Sequence, residues 1–256
     1  MKKPYYMIDF SASACLFEIR INDYPVIHMD IEGQVASTIP INFAILESGK
    51  QSLSLTVMPN FGETKLNPKA DLKFNLKLFD VANDFVFEKQ FGEYQSKTID
   101  EKSTPLIKYG NIFEAEVPYK LEAWQNGINL QDLDDSREKL SSAYKKLAQL
   151  IERKQFDEYK KLISQRENNM ASSMYLSKSE STERIDDLIQ DFNAGFKMKP
   201  IAEDSVMFLY GQSKVAMLKK PNGESALYLV NTETEEELML DVAFYVPEGK
   251  TDFEII

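Results

Sequence analysis

Two hydrophobic periods divide this chain. From Cys15 to about Trp124, apolar residues recur at every second position, the mark of strands with one buried face. Cys15, Phe17, Ile19 and Ile21 share one face, and Glu18 and Arg20 the other. Leu53, Leu55 and Val57 repeat the pattern against Ser52, Ser54 and Thr56. Leu72, Phe74, Leu76 and Leu78 repeat it against Lys73, Asn75 and Lys77. Phe85 and Phe87 oppose Val86 and Glu88 in a shorter run, and Phe113, Ala115, Val117, Tyr119 and Leu121 form the longest. Asn22-Asp23-Tyr24-Pro25 and Ser48-Gly49-Lys50 read as hairpin turns. Pro59-Asn60-Phe61-Gly62 and Tyr109-Gly110-Asn111 end further segments. Strands so spaced predict an all-β sandwich of two sheets, jelly-roll or immunoglobulin-like, over residues 1–126.

After Trp124-Gln125-Asn126-Gly127 the period becomes helical. Leu140, Ala143, Tyr144, Leu147, Leu150 and Ile151 make one stripe, with Asp134, Asp135 and Ser136 as capping residues before it. Phe156, Tyr159, Leu162 and Ile163 make a second, prolonged through Met170 and Met174. Thr182-Glu183-Arg184 opens a third helix, with Ile185, Leu188, Ile189 and Phe192 inward and Gly195 as its stop. Strands then return over Val206–Tyr210, Lys214–Lys219, Ala226–Val230, Leu238–Val246 and Phe253–Ile256. Asn222-Gly223 marks a hairpin between the second and third of these. Residues 127–256 therefore predict an α+β domain of about three helices followed by an antiparallel sheet. Its expected shape is NTF2-like or cystatin-like, an analogy of fold that carries no function.

One stretch is similar to a known family. Phe17 to Val26, followed by Ile41 to Val57, resembles the galactose-binding-like jelly-roll modules that accompany many glycoside hydrolases. Asn22 and Val26 fit that pattern's first turn, and Leu46 and Gly49 its following corner. Asp23 stands where the family usually has Gly, and Gln51 where it has Asn. The resemblance implies a β-sandwich over about 40 residues. It carries no sugar-binding residue onto this chain.

Composition narrows the chemistry. The 256 residues carry a formal charge of −11, which disfavours nucleic acid or an anionic membrane as the main partner. One Cys and one His exclude a disulfide framework, multi-Cys metal sites and His-pair metal motifs. No apolar run reaches the ~18 residues of a membrane-spanning helix. Met1-Lys2-Lys3 resembles the start of a signal peptide, but Asp9 interrupts the apolar stretch that follows. The expected compartment is the cytoplasm, or the periplasm if a signal has been removed.

Catalytic motifs are incomplete. Gly211-Gln212-Ser213-Lys214-Val215 lacks the second Gly of a nucleophile elbow, and phosphate-binding and dinucleotide fingerprints are missing. Ser142 and Lys145 have an acylating spacing on the polar face of a helix, where water would keep the Lys charged. His28, near Asp30, is the sole imidazole. Cys15 reads as a small core residue. No cofactor is expected. The residues singled out for binding are Glu233, Glu235, Glu236 and Glu237, the densest acidic run, and Trp124. Trp124 reads first as a wedge at the domain boundary and second as a ligand-stacking ring.

Three function classes stay open. The leading one is a non-enzymatic protein-interaction module of a bacterial type, such as a toxin-neutralising or secretion-accessory protein, with a basic protein as partner. The alternative is a carbohydrate or small-ligand binder. The third is an enzyme using converging buried carboxylates.

Overall fold

The computed structural model describes residues 2–96 and 105–256. Met1, the first residue of the signal-like start, lies outside them. The chain groups into two compact units, Met1–Leu121 and Glu122–Ile256. The division falls a few residues before the expected one because the turn at Trp124–Asn126 bonds into the second unit. Ile128 N donates to Val246 O (3.0 Å) and Glu248 N to Asn126 O (2.9 Å).

In the first unit β1 spans Pro4–Ile21, β2 Tyr24–Pro40, β3 Gly49–Met58, β4 Asp71–Asp80, β5 Val86–Gln95 and β6 Ile107–Ala115. They form one antiparallel sheet in the order β5-β4-β1-β3-β6, with β2 along β1. The sequence predicted two separate sheets, but one long strand joins both flanks. β1 pairs β4 through Pro4–Ser13 and β3 through Leu16–Ile21. Between them the register shifts at Ala14, whose φ is +46°. A one-residue bulge exchanges the faces of a strand. Tyr6, Ile8, Phe10 and Ala12 point inward before it, and Cys15, Phe17, Ile19 and Ile21 after it. One chain segment thus keeps its apolar side on the core while the sheet curls.

The flanks meet over a single core. Tyr94 of β5 packs on Tyr109 of β6 (4.5 Å between centroids), and Phe91 on Phe113 (5.6 Å). The cavity left there is only about 10 Å³, the room of one water. Each large side chain so buried contributes about 1.5–3 kcal/mol. Tyr6 OH accepts from Glu116 N (2.8 Å), and Asn42 binds both Tyr6 N (2.7 Å) and Pro4 O (2.9 Å).

The Asn22-Asp23 turn is as expected, with both residues at positive φ (53° and 60°) and Ile21 opposite Tyr24. Three expectations change. Tyr109-Gly110-Asn111 lies inside β6, where Gly110 faces Ser54. Ser48-Gly49-Lys50 opens β3 after a short helical turn at Asn42–Ala44 rather than closing a hairpin. The last alternating run stops being a strand at Ala115, three residues before Pro118, which cannot donate to a ladder.

The second unit contains α1 (Ser136–Glu152), α2 (Phe156–Leu162), α3 (Ser164–Ser173) and α4 (Lys178–Asn193). It continues with β7 (Phe196–Met198), β8 (Val206–Tyr210), β9 (Val215–Lys219), β10 (Tyr228–Asn231), β11 (Glu237–Met239), β12 (Phe244–Tyr245) and β13 (Glu254–Ile255). The expected third helix starts earlier, because Ser177 and Glu180 form a reciprocal capping box. The expected prolongation of the second helix is a separate α3, giving four helices. Asp135 precedes α1 in a left-handed conformation (φ +56°), and its side chain makes no capping bond.

The strands form a three-stranded sheet, β11-β10-β7, and a four-stranded one, β13-β12-β9-β8, in place of a single meander. The Asn222-Gly223 turn closes as predicted, with Lys220 N donating to Glu224 O (2.8 Å), but its strands then part into different sheets. The run Leu238–Val246 is likewise split between β11 and β12. Tyr144 spans the split: its OH donates to Val242 O (2.6 Å) and accepts from Leu218 N (3.0 Å).

Candidate functional site

Burial of a charge needs compensation. Glu18 on β1 is 6% exposed and faces His28 across the β1–β2 ladder. Arg20 Nε donates to Glu18 Oε1 (2.5 Å) and Arg20 Nη1 to Asp23 Oδ1 (2.8 Å). Burial alone would raise the Glu18 pKa; His28 and Arg20 outweigh it and hold the carboxyl below its ordinary range. A general acid needs the opposite shift. His28 Nδ1 stands 3.5 Å from Glu18 Oε2, and neither ring nitrogen bonds any other side chain among the described residues. No hydroxyl or thiol is therefore bonded to this imidazole as a nucleophile would be.

Glu167, 5% exposed on α3, is buried as well, as is Asp80 (6%) at the end of β4. Arg184 of α4 grips it with Nη2 (2.6 and 2.8 Å), and Arg166 Nη1 adds a bond of 2.6 Å. Tyr159 of α2 lies in the same field, with its hydroxyl pushed up to about 12, chiefly by burial. Paired guanidinium groups of this kind brace helices against each other. Glu18 and Glu167 belong to different units, and each is answered by arginine.

Cys15 is buried, its thiol pushed up to about 11 by burial, which suits a core residue and disfavours a thiolate. Ser142 and Lys145 are both exposed, and Ser142 Oγ donates to Glu138 O of its own helix (2.9 Å). Among the described residues no group of three His, Cys, Asp or Glu could hold a metal ion. No helix there is long and apolar enough to cross a membrane.

The acidic run forms the β10–β11 turn. Glu233, Glu235 and Glu236 are exposed, and Asn231 Oδ1 accepts from Glu233 N (3.0 Å) to shape the loop. Glu237 is on β11, 3.7 Å from Lys220 Nζ. Trp124, named as a binding residue from sequence, is only 6% exposed. Its ring lies against Gly211 of the β8–β9 turn, where an added Cβ would come within 2.7 Å of Cδ1. The structure places it in the packing of the second unit rather than on an exposed contact surface.

Sequence periodicity gave no warning of a run of three exposed apolar residues. Phe85, Val86 and Phe87, expected as a half-buried run, are 55, 49 and 53% exposed. They follow the turn between β4 and β5, where Asp84 and Phe85 have φ of 53° and 55°. For an aromatic residue the left-handed region is strained. Asp80 holds the turn by accepting from Ala82 N (3.1 Å) and Lys3 N (3.0 Å). Tyr5 meets Phe85 edge-on (5.5 Å), and Phe79 meets Phe87 (5.8 Å), so the strip is supported from beneath.

The second unit also has an open groove of about 270 Å³ between Ile151, Phe192, Phe196, Met198 and Leu229, rimmed by Lys154, Lys197 and Glu152. The chain matches no family model, no curated protein and no solved structure.

Proposed function

We propose that this protein is a non-enzymatic interaction module that binds another protein through the Phe85-Val86-Phe87 strip. The observation that carries the reading is three consecutive large apolar residues, each about half exposed, on a strained and braced turn. Aromatic anchors dominate binding energy at such surfaces, each costing about 2 kcal/mol or more when truncated. The acidic Glu233–Glu236 loop supports a basic partner, through faster encounter rather than tighter packing. Neutralising a toxin or assisting secretion are tasks of this kind. The curled sheet supports reading the first unit as a jelly-roll or immunoglobulin-like sandwich, without bearing on function.

The test is affinity capture from the native host, followed by binding kinetics with the purified partner. Replacing Phe85, Val86 and Phe87 together by Ser should weaken binding at least thirtyfold, about the effect of one lost anchor. Charge reversal at Glu233, Glu235 and Glu236 should lower the association rate, and salt should do the same. A partner that binds the triple variant as tightly as the parent chain sinks the proposal.

A second reading, a small-ligand binder, rests on the groove of the second unit, which lies just under the usual size of ligand sites. A thermal-shift screen with Phe196→Lys as the blocked control separates the two.

A further inference from the structure

Among the described residues, the sheet of the first unit has three edges without a strand partner, β2, β5 and β6. A free edge offers unpaired backbone donors and acceptors to any extended chain, and proteins usually blunt it with charges, bulges or proline. β5 carries Glu88, Lys89 and Glu93, and its pairing slips twice. β6 carries Lys108 and Glu114. β2 differs. Its segment Gly33-Gln34-Val35-Ala36-Ser37-Thr38-Ile39 has no charged residue and no proline. From Gln34 to Pro40 it pairs with β1 in unbroken register. Glu32, Gly33, Gln34, Ala36, Ser37 and Thr38 are exposed in the whole chain, while Val35 and Ile39 pack against the core. Asn60 Nδ2 bonds Ile31 O (3.0 Å) just before this stretch, and Pro40 ends it.

We infer that Gly33–Ile39 is a strand-addition edge and that its occupant is the same segment of a second copy of this chain. Antiparallel pairing centred on Ala36 sets Gln34 opposite Thr38, Val35 opposite Ser37 and Gly33 opposite Ile39. No charge then faces a like charge, and Glu32 falls opposite Pro40. The core-facing Val35 and Ile39 of one copy continue the apolar face of the other. A basic foreign strand finds no carboxylate along these seven residues, which is why the partner invoked for the Phe85 strip is not the occupant here. The contact is smaller than the standard stable interface, so weak and concentration-dependent association is expected. Each copy carries −11, so screening by salt should strengthen it, the reverse of the salt effect expected for a basic partner.

Sedimentation equilibrium on the full chain tests this, from roughly 10 µM to 1 mM protein and from about 0.01 M to about 1 M salt. The expected result is a monomer–dimer equilibrium that shifts towards dimer with salt. Ala36→Lys places a charge opposite itself and should lower dimer affinity at least tenfold, with circular dichroism and melting unchanged. Ile112→Lys, the same change at an exposed position of β6, should leave the dimer intact. A monomer under all conditions overturns the inference, and so does a dimer that survives Ala36→Lys or is broken by Ile112→Lys alone. These outcomes leave the Phe85 strip untouched, since its test reads a different partner.

Discussion

Glu18 shows how a residue's neighbours decide what its chemistry becomes. Beside Arg20 and His28 it is an ion-pair member held ionised, with a pKa below its ordinary value near 4.5. A depressed carboxyl contributes stability above the unfolded pKa and loses it as pH falls through the folded one. The first unit should therefore unfold at lower urea concentration as the pH is taken below about 4.5. Glu18→Gln should flatten that dependence and cost about 3 kcal/mol at neutral pH, because the partners lose their buried counter-charge. A second prediction concerns Gly211, at φ +56° under the Trp124 ring. Gly211→Ala should destabilise the second unit by about 2–4 kcal/mol, through backbone strain and overpacking, as read by thermal melting. The alternation around Glu18 was plain in the sequence, but its pairing with His28 was not. Two strands had to come into register before the two residues could meet.

At the level of elements, local chemistry was readable where a few neighbouring residues decide the outcome. The Asn22-Asp23 and Asn222-Gly223 turns are of this kind, because each needs only two residues of the right φ preference. The α4 start is local too: Ser177 and Glu180 satisfy each other's backbone groups. Ser177→Ala should cost the second unit about 1 kcal/mol in chemical denaturation, the usual worth of such a cap. The first half of β1 was missed for a different reason. Its apolar residues Tyr6, Ile8, Phe10 and Ala12 hold even positions, while Cys15 to Ile21 hold odd ones. A single bulge at Ala14 shifts the phase, so a search for one continuous alternation sees only half the strand. The Phe85–Phe87 run misled in the opposite sense. Alternation predicts a buried face, but at this sheet edge the apolar residues stand outside.

For the whole molecule, each unit has a core of its own: one from Tyr6 to Ala115, the other from Leu130 to Ile255. Residues 1–121 and 122–256, expressed separately, should each fold cooperatively, with dispersed amide spectra and sharp melting as the measurement. The sequence alone determined that the chain is rich in strands with its helices in the second half, the change of period near Trp124, the Asn22-Asp23 and Asn222-Gly223 turns and the scarcity of reactive side chains. Those features follow from residue type and spacing, which act within a few positions. The three-dimensional fold alone decided that the first half is one curled sheet and that the last strands divide between two sheets. It also decided that Trp124 is interior, that Phe85 to Phe87 are outside and that β2 is left open. Each of these depends on which strands are neighbours, and that choice is made by packing between residues far apart in the chain.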